Sequence, residues 1–371
     1  MVVFLLVFLS IYTGMHALVF WGIHPLLKEH PALPTLTWLW MGLMLIAPLL
    51  VRQLDHYGHE LAARGLAWIG YSWMGALFLA FALFVPLGLW DILSLATSRL
   101  LPVSLPTLHG PTTALLVVLV VIAGSFYGLY EATSLRVETV RLETAKLPPG
   151  TPPIRIAQVS DMHLGLILRE EALAPIVARL QQLQPDLLVA TGDIVDAQLN
   201  HLQELVTLWQ QLDPPLGKYA VTGNHEYYAG LNQALDFLQR SGFVMLRNQN
   251  TEVGDWLKLA GVDDPARGGA PDETAALGAR SKRFTLLLKH RPRFAGESKG
   301  LFDLQLSGHA HRGQLFPFNL LTGLEYPLQN GLYTLAASQR LYTSRGTGTW
   351  GPPMRILSPP EISLIELVPG G

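Results

Sequence analysis

The second half of the chain alternates between apolar runs and short polar clusters, and each cluster directly follows an apolar run. From Ile154 onward, strand-like runs alternate with amphipathic runs of helical period, which predicts an α/β fold with helices covering a sheet. The predicted strands are 154–160, 186–191, 218–222, 256–260, 284–289, 303–307, 331–336 and 362–367, and the predicted helices are 169–183, 201–212 and 231–240. Because ligands in such sheets bind at the carboxyl ends of strands, the clusters predict a functional site.

Five polar clusters supply side chains of the kinds that bind metals. They are Asp161-Met162-His163, Gly192-Asp193-Ile194-Val195-Asp196, Gly223-Asn224-His225-Glu226, Lys289-His290 and Gly308-His309-Ala310-His311. Carboxylate and amide oxygens together with imidazole nitrogens suit manganese, iron or zinc. Taken singly, each cluster is also explained by a turn or by a carboxylate that caps a helix. Every histidine after residue 152 except His201 lies in these clusters, and this concentration predicts a metal site.

The clusters also contain candidates for roles beyond direct ligation. Gly192 allows a sharp turn that leaves Asp193 unobstructed, so Asp193 is a candidate bridge between two ions. Asp196 is a candidate for holding a neighbouring side chain in place. His225 projects differently from the residue before it and is a candidate general acid or stabiliser of phosphoryl charge. Glu226 is a candidate for orienting His225.

The first 135 residues contain four long apolar runs, 2–21, 36–51, 66–90 and 113–130. Charged residues make up 15% of the whole chain, whereas soluble proteins contain about 25%. A membrane-spanning helix needs about 20 mostly apolar residues, so the runs predict four spans. Buried core helices, or a signal peptide for the first run, are the alternatives. The chain start carries no basic residue, which favours a retained helix.

Composition and prolines define the expected domain organisation. We expect a transmembrane helical region over 1–135, a proline-rich linker over 136–153 and a catalytic domain over 154–371. The chain has no cysteine, which excludes disulfides and thiolate metal sites. A net charge of -2 implies no bulk attraction to nucleic acid, and no nucleic-acid-binding module is evident.

The order of the clusters resembles the signature of the calcineurin-like metallophosphoesterase family. That signature runs Asp-x-His, Gly-Asp-x-x-Asp, Gly-Asn-His-Glu or Gly-Asn-His-Asp, a later His, and Gly-His-x-His. All five blocks occur here in that order. The chain is similar to the membrane-associated, YkuE-like bacterial branch at Gly261-Val262-Asp263-Asp264, Gly313-Gln314, Ser344-Arg345-Gly346-Thr347-Gly348 and Pro359-Pro360-Glu361-Ile362.

The resemblance implies a fold, a ligand set and two divalent metal ions, manganese, iron or zinc. The implied fold is a four-layer αββα sandwich, here preceded by the four-helix transmembrane region. The implied ligands of the first ion are Asp161, His163, Asp193 and His311, and those of the second are Asp193, Asn224, His290 and His309. His225 would be the acid or phosphate-stabilising residue.

One position departs from the pattern of the resembling branch. Arg312 stands between His311 and Gly313, where relatives often have glycine. A guanidinium there could contact a substrate phosphate in a bidentate manner, and a tolerated surface change is the alternative explanation.

These features predict a membrane-anchored phosphohydrolase in which a metal-activated hydroxide cleaves a phosphodiester, pyrophosphate or phosphomonoester. Its expected partners are the lipid bilayer and a phosphate-ester substrate, for which a lipid-linked compound such as UDP-diacylglucosamine or a phospholipid is the leading candidate. Arg52, Arg64 and the basic residues of 136–155 fall on one side of four spans, opposite Lys28 and Arg99. The positive-inside rule then predicts an integral protein of the bacterial inner membrane with a cytoplasmic catalytic domain.

Two other classes of function remain open at this point. One is a membrane receptor or transport-associated protein whose phosphoesterase domain is regulatory or degenerate; activity of a soluble fragment from about Pro152 onward would exclude it. The other is a serine hydrolase, because Gly296-Glu297-Ser298-Lys299-Gly300 fits Gly-x-Ser-x-Gly. The residues before that motif do not resemble the strand that a nucleophile elbow requires.

Overall fold

The structure is a computed structural model, and it describes residues 2–196, 202–335 and 339–370. The chain divides into two compact units. One comprises Met1–Tyr130 and Gly351–Met354, and we call it the helical unit. The other comprises Glu131–Trp350 and Arg355–Gly371, and we call it the sheet unit.

The helical unit contains four long apolar helices. They are α1 (Val2–Leu27), α2 (Ala32–His56), α3 (Glu60–Leu100) and α4 (Pro111–Thr133). All four are long and apolar enough to cross a membrane, and each contains one of the runs expected to span it. At about 1.5 Å per residue, the 41 residues of α3 exceed the roughly 30 Å of a hydrocarbon core, so α3 would also extend beyond the bilayer.

The sheet unit contains two six-stranded sheets. In chain order the strands are β1 (Arg136–Thr144), β2 (Ile154–Val159), β3 (Leu187–Ala190), β4 (Lys218–Ala220), β5 (Val244–Met245), β6 (Gln249–Val253), β7 (Leu257–Gly261), β8 (Phe284–Leu288), β9 (Leu304–Ser307), β10 (Gly331–Thr334), β11 (Arg340–Thr343) and β12 (Glu361–Pro369). The first sheet has the order β1-β12-β2-β3-β4-β5 and the second the order β10-β11-β9-β8-β7-β6. Strands β2 to β5 are parallel, as are β7, β8, β9 and β11.

Alternate residues of the central strands point to different cores, because successive side chains of a strand face opposite sides. On β3, Leu187 and Val189 join a core that also contains Leu286 and Leu306 of the second sheet. Their neighbours Leu188 and Ala190 join a core with the helices. Both faces are buried, which explains why these strands are continuous apolar runs rather than alternating ones.

Helices pack on the outer face of each sheet: α5 (Glu170–Leu183), α6 (Gln203–Gln210) and α8 (Leu231–Arg240) on the first, and α9 (Glu273–Leu277) on the second. Two short helices remain, α7 (Asn224–Ala229), which begins at a ligand cluster, and α10 (Phe318–Glu325), which has no buried residue. Trp209 of α6 and Phe237 of α8 pack in the core of the first sheet, and Leu277 of α9 packs against Leu287 of the second. The predicted four-layer αββα architecture is confirmed.

The segment expected to be a proline-rich linker begins instead with a strand. Arg136–Thr144 forms β1, which pairs in parallel with β12 along nine residues. In the second half of this strand, apolar and exposed charged residues alternate, as in a strand with one buried face. Leu142 is buried between the sheets, whereas the charged residues on either side of it are exposed. Only 145–153 lies outside helices and strands, and it contains all the prolines of the expected linker.

The position of β1 leads to a prediction about where a soluble fragment must begin. A fragment that starts at Ser134 keeps β1, whereas one that starts at Pro152 leaves the nine-residue strand β12 as an open apolar edge. Exposed apolar edges promote association. We expect the shorter fragment to aggregate and to melt more than about 5 °C lower, as measured by gel filtration and thermal circular dichroism. Equal melting temperatures and two monomeric fragments would contradict this role of β1.

Candidate metal centre

The predicted ligand residues follow strands of both sheets. Asp161 and Asp193 follow β2 and β3 of the first sheet, while His290 and His309 follow β8 and β9 of the second. Asn224 is the first residue of α7, four residues after β4 ends. Since these strands are parallel neighbours within their sheets, their carboxyl ends bring the clusters to one edge of the sandwich.

Left-handed backbone conformations recur at the predicted ligands. Positive φ angles between 46° and 70° occur at five of them: Asp161, His163, Asp193, His309 and His311. Non-glycine residues adopt this region at a cost, and such strain concentrates at functional sites. The sharp turns let side chains two residues apart in the Asp-x-His and His-x-His clusters point into the same space.

Two glycines allow the loops to approach the buried carboxylates. A Cβ atom on Gly223 would lie 2.2 Å from Oδ1 of Asp193, and one on Gly308 would lie 2.0 Å from Oδ2 of Asp161. Real Cβ atoms do not approach oxygen so closely, so only glycine fits at either position. The glycine in these two clusters is therefore needed for close packing around the ligands.

The first group of converging ligand atoms comes from Asp161, His163 and His311. The Nε2 atoms of the two histidines lie 3.1 Å apart, and Nε2 of His311 lies 3.5 Å from Oδ1 of Asp161. All three side chains are buried. The second ring nitrogen of His163, Nδ1, is buried and has no hydrogen-bond partner among the residues that the structure describes.

The second group converges on Nε2 of His290. This atom lies 3.2 Å from Oδ2 of Asp193, 3.3 Å from Oδ1 of Asn224 and 3.1 Å from Nδ1 of His309. The other ring nitrogen of His290 lies 2.8 Å from the carbonyl oxygen of Thr191. A carbonyl only accepts, so Nδ1 of His290 carries the proton and donates it, and a neutral His290 directs the lone pair of Nε2 into the group.

Two residues connect these groups. Ligand atoms of His163, Asp193 and His225 form a third convergent group, so His163 belongs to the first and third groups while Asp193 belongs to the third and second. Oδ1 of Asp193 also accepts a hydrogen bond of 2.8 Å from the backbone amide of His225. The structure thus puts Asp193 between the two sets of side chains, where a bridging ligand would have to be.

The electrostatics of the site keep three imidazoles neutral. Burial, with neighbouring His225, lowers the pKa of His163 to about 3. Burial and His290 lower the pKa of His309 to about 2, and burial together with His163 and Arg355 holds the pKa of His311 well below its usual range. Neutral imidazoles are the form that ligates metals.

The pKa of His290 shifts in the opposite direction, because its surroundings favour positive charge. Burial lowers the pKa of His290, but the carboxylate of Asp193 outweighs it and raises the pKa to about 10. For Asp193, burial tends to raise the pKa, but His290 and His225 outweigh burial and hold the pKa well below its usual range. Asp193 is thus ionised deep in the protein, and a cation beside it is favourable.

The donor set and its spacing fit divalent ions. Metals that bind nitrogen and oxygen at about 2.0–2.2 Å hold neighbouring ligand atoms about 3.0–3.5 Å apart. The separations from Nε2 of His290 and His311 to their neighbours run from 3.1 to 3.5 Å. Among the described residues, buried Nδ1 of His163 has no hydrogen-bond partner, which also calls for an ion or water nearby. The clustered residues can therefore hold two metal ions.

His225 is held by Asp196, and Glu226 has a different task from the one expected. Nδ1 of His225 lies 2.9 Å from Oδ1 of Asp196. Burial lowers the pKa of His225, but Asp193 and Asp196 outweigh it and raise the pKa to about 9. The expected contact from Glu226 to His225 is replaced by bonds to backbone: Glu226 accepts from the amides of Gly223, Asp193, Ile194 and Val195 at 2.6–3.3 Å.

Arg312 adjoins the site, and its predicted contact with phosphate stays a prediction. It is half-buried, with φ 49° and ψ 34°, in the short 3-10 segment His311–Gly313. Its backbone is left-handed, a conformation that glycine adopts more easily than other residues.

Two side chains near the ligands carried no sequence signal. The hydroxyl of Tyr326 lies 2.9 Å from Nε2 of His309, and Nη2 of Arg355 lies 3.2 Å from Nδ1 of His311. Arg355 is fully buried and also donates to the carbonyl oxygens of Gly348 and Ser358. Tyr326 is 17 residues from His309 in the chain, and Arg355 is 44 residues from His311. The folding of the chain brings them to these histidines, so no local motif predicts the contacts.

The alternative nucleophile motif does not have the geometry of a hydrolase elbow. Ser298 is buried in the 3-10 segment Gly296–Ser298, with no strand leading into it. Its hydroxyl contacts Glu273, which also pairs with Lys289. This network lies under α9 and supplies no histidine to activate the serine.

Comparisons with known proteins agree with this geometry. A family model described as calcineurin-like phosphoesterase matches residues 154–313. An uncharacterised metallophosphoesterase of Aquifex aeolicus is 44% identical over 249 residues, which are 65% of this chain and 95% of that protein. The chain belongs to the calcineurin-like metallophosphoesterase family.

Two further relatives in the metallophosphoesterase family show how the match is distributed. The uncharacterised YkuE of Bacillus subtilis is 34% identical over 61% of this chain and 83% of its own length. A Danio rerio protein named as a transmembrane protein with a metallophosphoesterase domain is 35% identical over 65% of this chain. The match covers 59% of the Danio rerio protein, so much of that relative lies outside it.

The contact between Tyr326 and His309 leads to a prediction about metal affinity. Nδ1 of His309 faces His290, so a neutral His309 that ligates through Nδ1 carries its proton on Nε2 and donates it to Tyr326. Loss of such outer contacts typically lowers metal affinity by about 10–100-fold. We expect Tyr326→Phe to do so in calorimetric titrations with Mn²⁺ or Zn²⁺. Tyr333→Phe, whose hydroxyl accepts only a long backbone contact, is the control; equal affinities would contradict the role of Tyr326.

Proposed function

We propose that the sheet unit is a dinuclear-metal phosphohydrolase that cleaves phosphodiester, pyrophosphate or phosphomonoester bonds. The position of Asp193 carries the proposal, because its carboxylate belongs to two convergent groups and is ionised although buried. Family membership supports the same reaction class. The proposed ligands are those expected above: Asp161, His163, Asp193 and His311 for one ion, and Asp193, Asn224, His290 and His309 for the other.

The chain's own residues have distinct tasks in this proposal. Divalent ions, when bound, supply activation of a water nucleophile and neutralise charge on the phosphoryl group. Against the effect of burial, Asp193 and Asp196 raise the pKa of His225, and in this proposal its imidazole donates a proton to the leaving oxygen. Asp196 holds the imidazole through Nδ1, so the proton that is donated lies on Nε2. Glu226 fixes the backbone that carries Asp193.

The metals that fit this donor set are manganese, iron and zinc. The proposed ligands comprise four imidazoles, two carboxylates and one amide oxygen: His163, His290, His309, His311, Asp161, Asp193 and Asn224. Mixed nitrogen and oxygen sets suit these borderline cations, whereas calcium and magnesium prefer oxygen alone. Arg312 is proposed to contact a phosphate oxygen of the substrate.

We further propose a lipid-linked substrate, such as UDP-diacylglucosamine or a phospholipid, and the bacterial inner membrane as location. The presence of four helices able to cross a membrane in the same chain supports an interfacial substrate. The distribution of basic residues favours a cytoplasmic sheet unit. A screen of the purified full chain against soluble esters, phospholipids and nucleotide-linked lipids, each with manganese, zinc or EDTA, tests these proposals.

A receptor or transport-associated role is the second candidate. It predicts that the protein binds phosphate esters without turnover under every metal condition of the screen. The intact ligand geometry favours the enzyme, since a degenerate domain has no constraint to retain seven converging side chains.

The bridging position of Asp193 leads to a prediction about metal-dependent activity. Asp193→Asn keeps the shape but removes the charge shared by both groups of ligands, so we expect less than about one-hundredth of wild-type kcat, in line with other losses of metal-centre function. The metal content, measured by plasma mass spectrometry, should fall to at most one ion per chain. Asp236→Asn, on the exposed face of α8, is the control. Two ions per chain together with normal turnover in Asp193→Asn would refute the bridging role.

The assignment of His225 as an acid leads to a prediction about leaving groups. Replacing His225 with Gln should slow esters of alkyl alcohols by about 10²–10⁴-fold, because these leaving oxygens need a proton. Esters of p-nitrophenol, which leave as stable anions, should slow much less. Asp196→Asn should likewise slow alkyl esters more than p-nitrophenyl esters, because the contact to Nδ1 of His225 is lost. An equal loss with both leaving groups would show that His225 acts only on charge or binding.

A further inference from the structure

Helix α10 exposes an apolar face in the sheet unit. None of its eight residues is buried, and Leu320, Leu321 and Leu324 are 63%, 59% and 81% exposed. The flanking Phe316 and the first residue, Phe318, are each 45% exposed. At helical spacing, Leu320, Leu321 and Leu324 share one side of the helix. Soluble surfaces rarely collect this many large apolar side chains, and such patches mark contact with a membrane or a partner.

The same helix is joined to the proposed metal centre at both ends. Before its start, Gly313 packs so closely on Asn319 that a Cβ atom would lie 2.3 Å from the Asn319 amide nitrogen, and Gly313 is two residues from His311. After its end, the hydroxyl of Tyr326 contacts Nε2 of His309. The apolar face is thus a fixed distance from the ligands rather than part of a remote surface.

Cationic side chains border this face. Arg312 lies in the segment that leads into α10. The guanidinium of Arg293 lies 5.0 Å from the centre of the Tyr326 ring, and it pairs with Glu325 in the last turn of α10. Leucine and phenylalanine side chains bordered by arginine match the chemistry of an anionic lipid surface, which offers acyl chains below phosphate groups.

The chain itself indicates which occupant covers the face. Four helices able to cross a membrane occur in the same polypeptide, so the local concentration of bilayer around α10 is high in the membrane-bound protein. A protein partner has no comparable support among the described residues. The acyl region of a lipid leaflet is therefore the occupant that the composition of this chain favours.

We propose that α10 is an interfacial helix that inserts Leu320, Leu321 and Leu324 into a lipid leaflet and so brings the phosphate group of a lipid ester to the adjoining metal centre. The second part of this inference rests on the proposed function. The first part, insertion into the leaflet, does not depend on any activity.

A fluorescence experiment on the full chain tests the insertion directly. Because the chain has no cysteine, Leu324→Cys gives a single site for the environment-sensitive label NBD. The protein is placed in nanodiscs of phosphatidylcholine and anionic phosphatidylglycerol, with or without spin-labelled phosphatidylcholine. Val244→Cys is the matched control, since Val244 is 51% exposed on the edge strand β5. We expect the label at residue 324 to be quenched several-fold more strongly than the label at residue 244.

Two results would overturn insertion of α10. A blue-shifted label at residue 324 that spin-labelled lipid does not quench would mean that protein covers α10, either the helical unit or a second copy of the chain. A label that is neither shifted nor quenched would mean that α10 faces water.

A kinetic comparison tests the link to the substrate. In the double variant Leu321→Asn with Leu324→Asn, we expect kcat/KM for a long-chain phospholipid to fall about tenfold relative to that for a soluble phosphodiester, because the apolar contact with the leaflet is lost. Val244→Asn should leave this ratio unchanged. A constant ratio in the double variant would refute lipid delivery by α10. If the wild-type protein cleaves neither these esters nor any other phosphate ester or pyrophosphate of the screen, but the label at residue 324 is quenched, the proposed function fails and insertion stands.

Discussion

The buried carboxylate of Asp193 is the constraint on which the rest of the sheet unit depends. An ionised carboxylate away from water costs several kcal/mol or more unless positive charge and hydrogen bonds compensate it. Here the amide of His225 donates to it, and the imidazole of His290 lies 3.2 Å away. These partners come from the start of α7, which follows β4, and from the loop after β8, and β4 and β8 belong to different sheets. The two sheets must therefore pack in one register for Asp193 to be compensated, so the fold and the site are specified together.

Glu226 adds a second buried carboxylate, which stabilises the loops rather than the reaction. It accepts hydrogen bonds from the backbone amides of Gly223, Asp193, Ile194 and Val195. Burial and the nearby charge of Asp193 raise its pKa, while these amide donors favour its ionised form. Loops held in left-handed conformations need such support, because their backbone groups find no partners in a sheet or helix. The Gly-Asn-His-Glu cluster thus combines a proposed ligand, a proposed acid and the carboxylate that holds the neighbouring loop.

Much of this organisation could be predicted from the sequence, and the omissions have identifiable physical causes. Strands buried on both faces are conspicuous as apolar runs, which explains why β2, β3, β8 and β9 and their ligand clusters were predicted. Strand β1 was missed because it is an edge strand with charged residues between its apolar ones. The contact of Glu226 with backbone, and those of Tyr326 and Arg355 with histidines, depend on tertiary packing. Local sequence patterns contain no information about such contacts.

Tyr326 connects the clustered ligand residues with the exposed apolar helix α10. It follows the last residue of α10 and contacts the ring nitrogen of His309 that faces away from His290. That contact selects the tautomer in which Nδ1 of His309 can bind an ion. The guanidinium of Arg293 packs on the π face of the Tyr326 ring. His309, a proposed ligand, is thus oriented by the residue that follows the apolar helix, so a displacement of α10 would also change the geometry of the proposed metal centre.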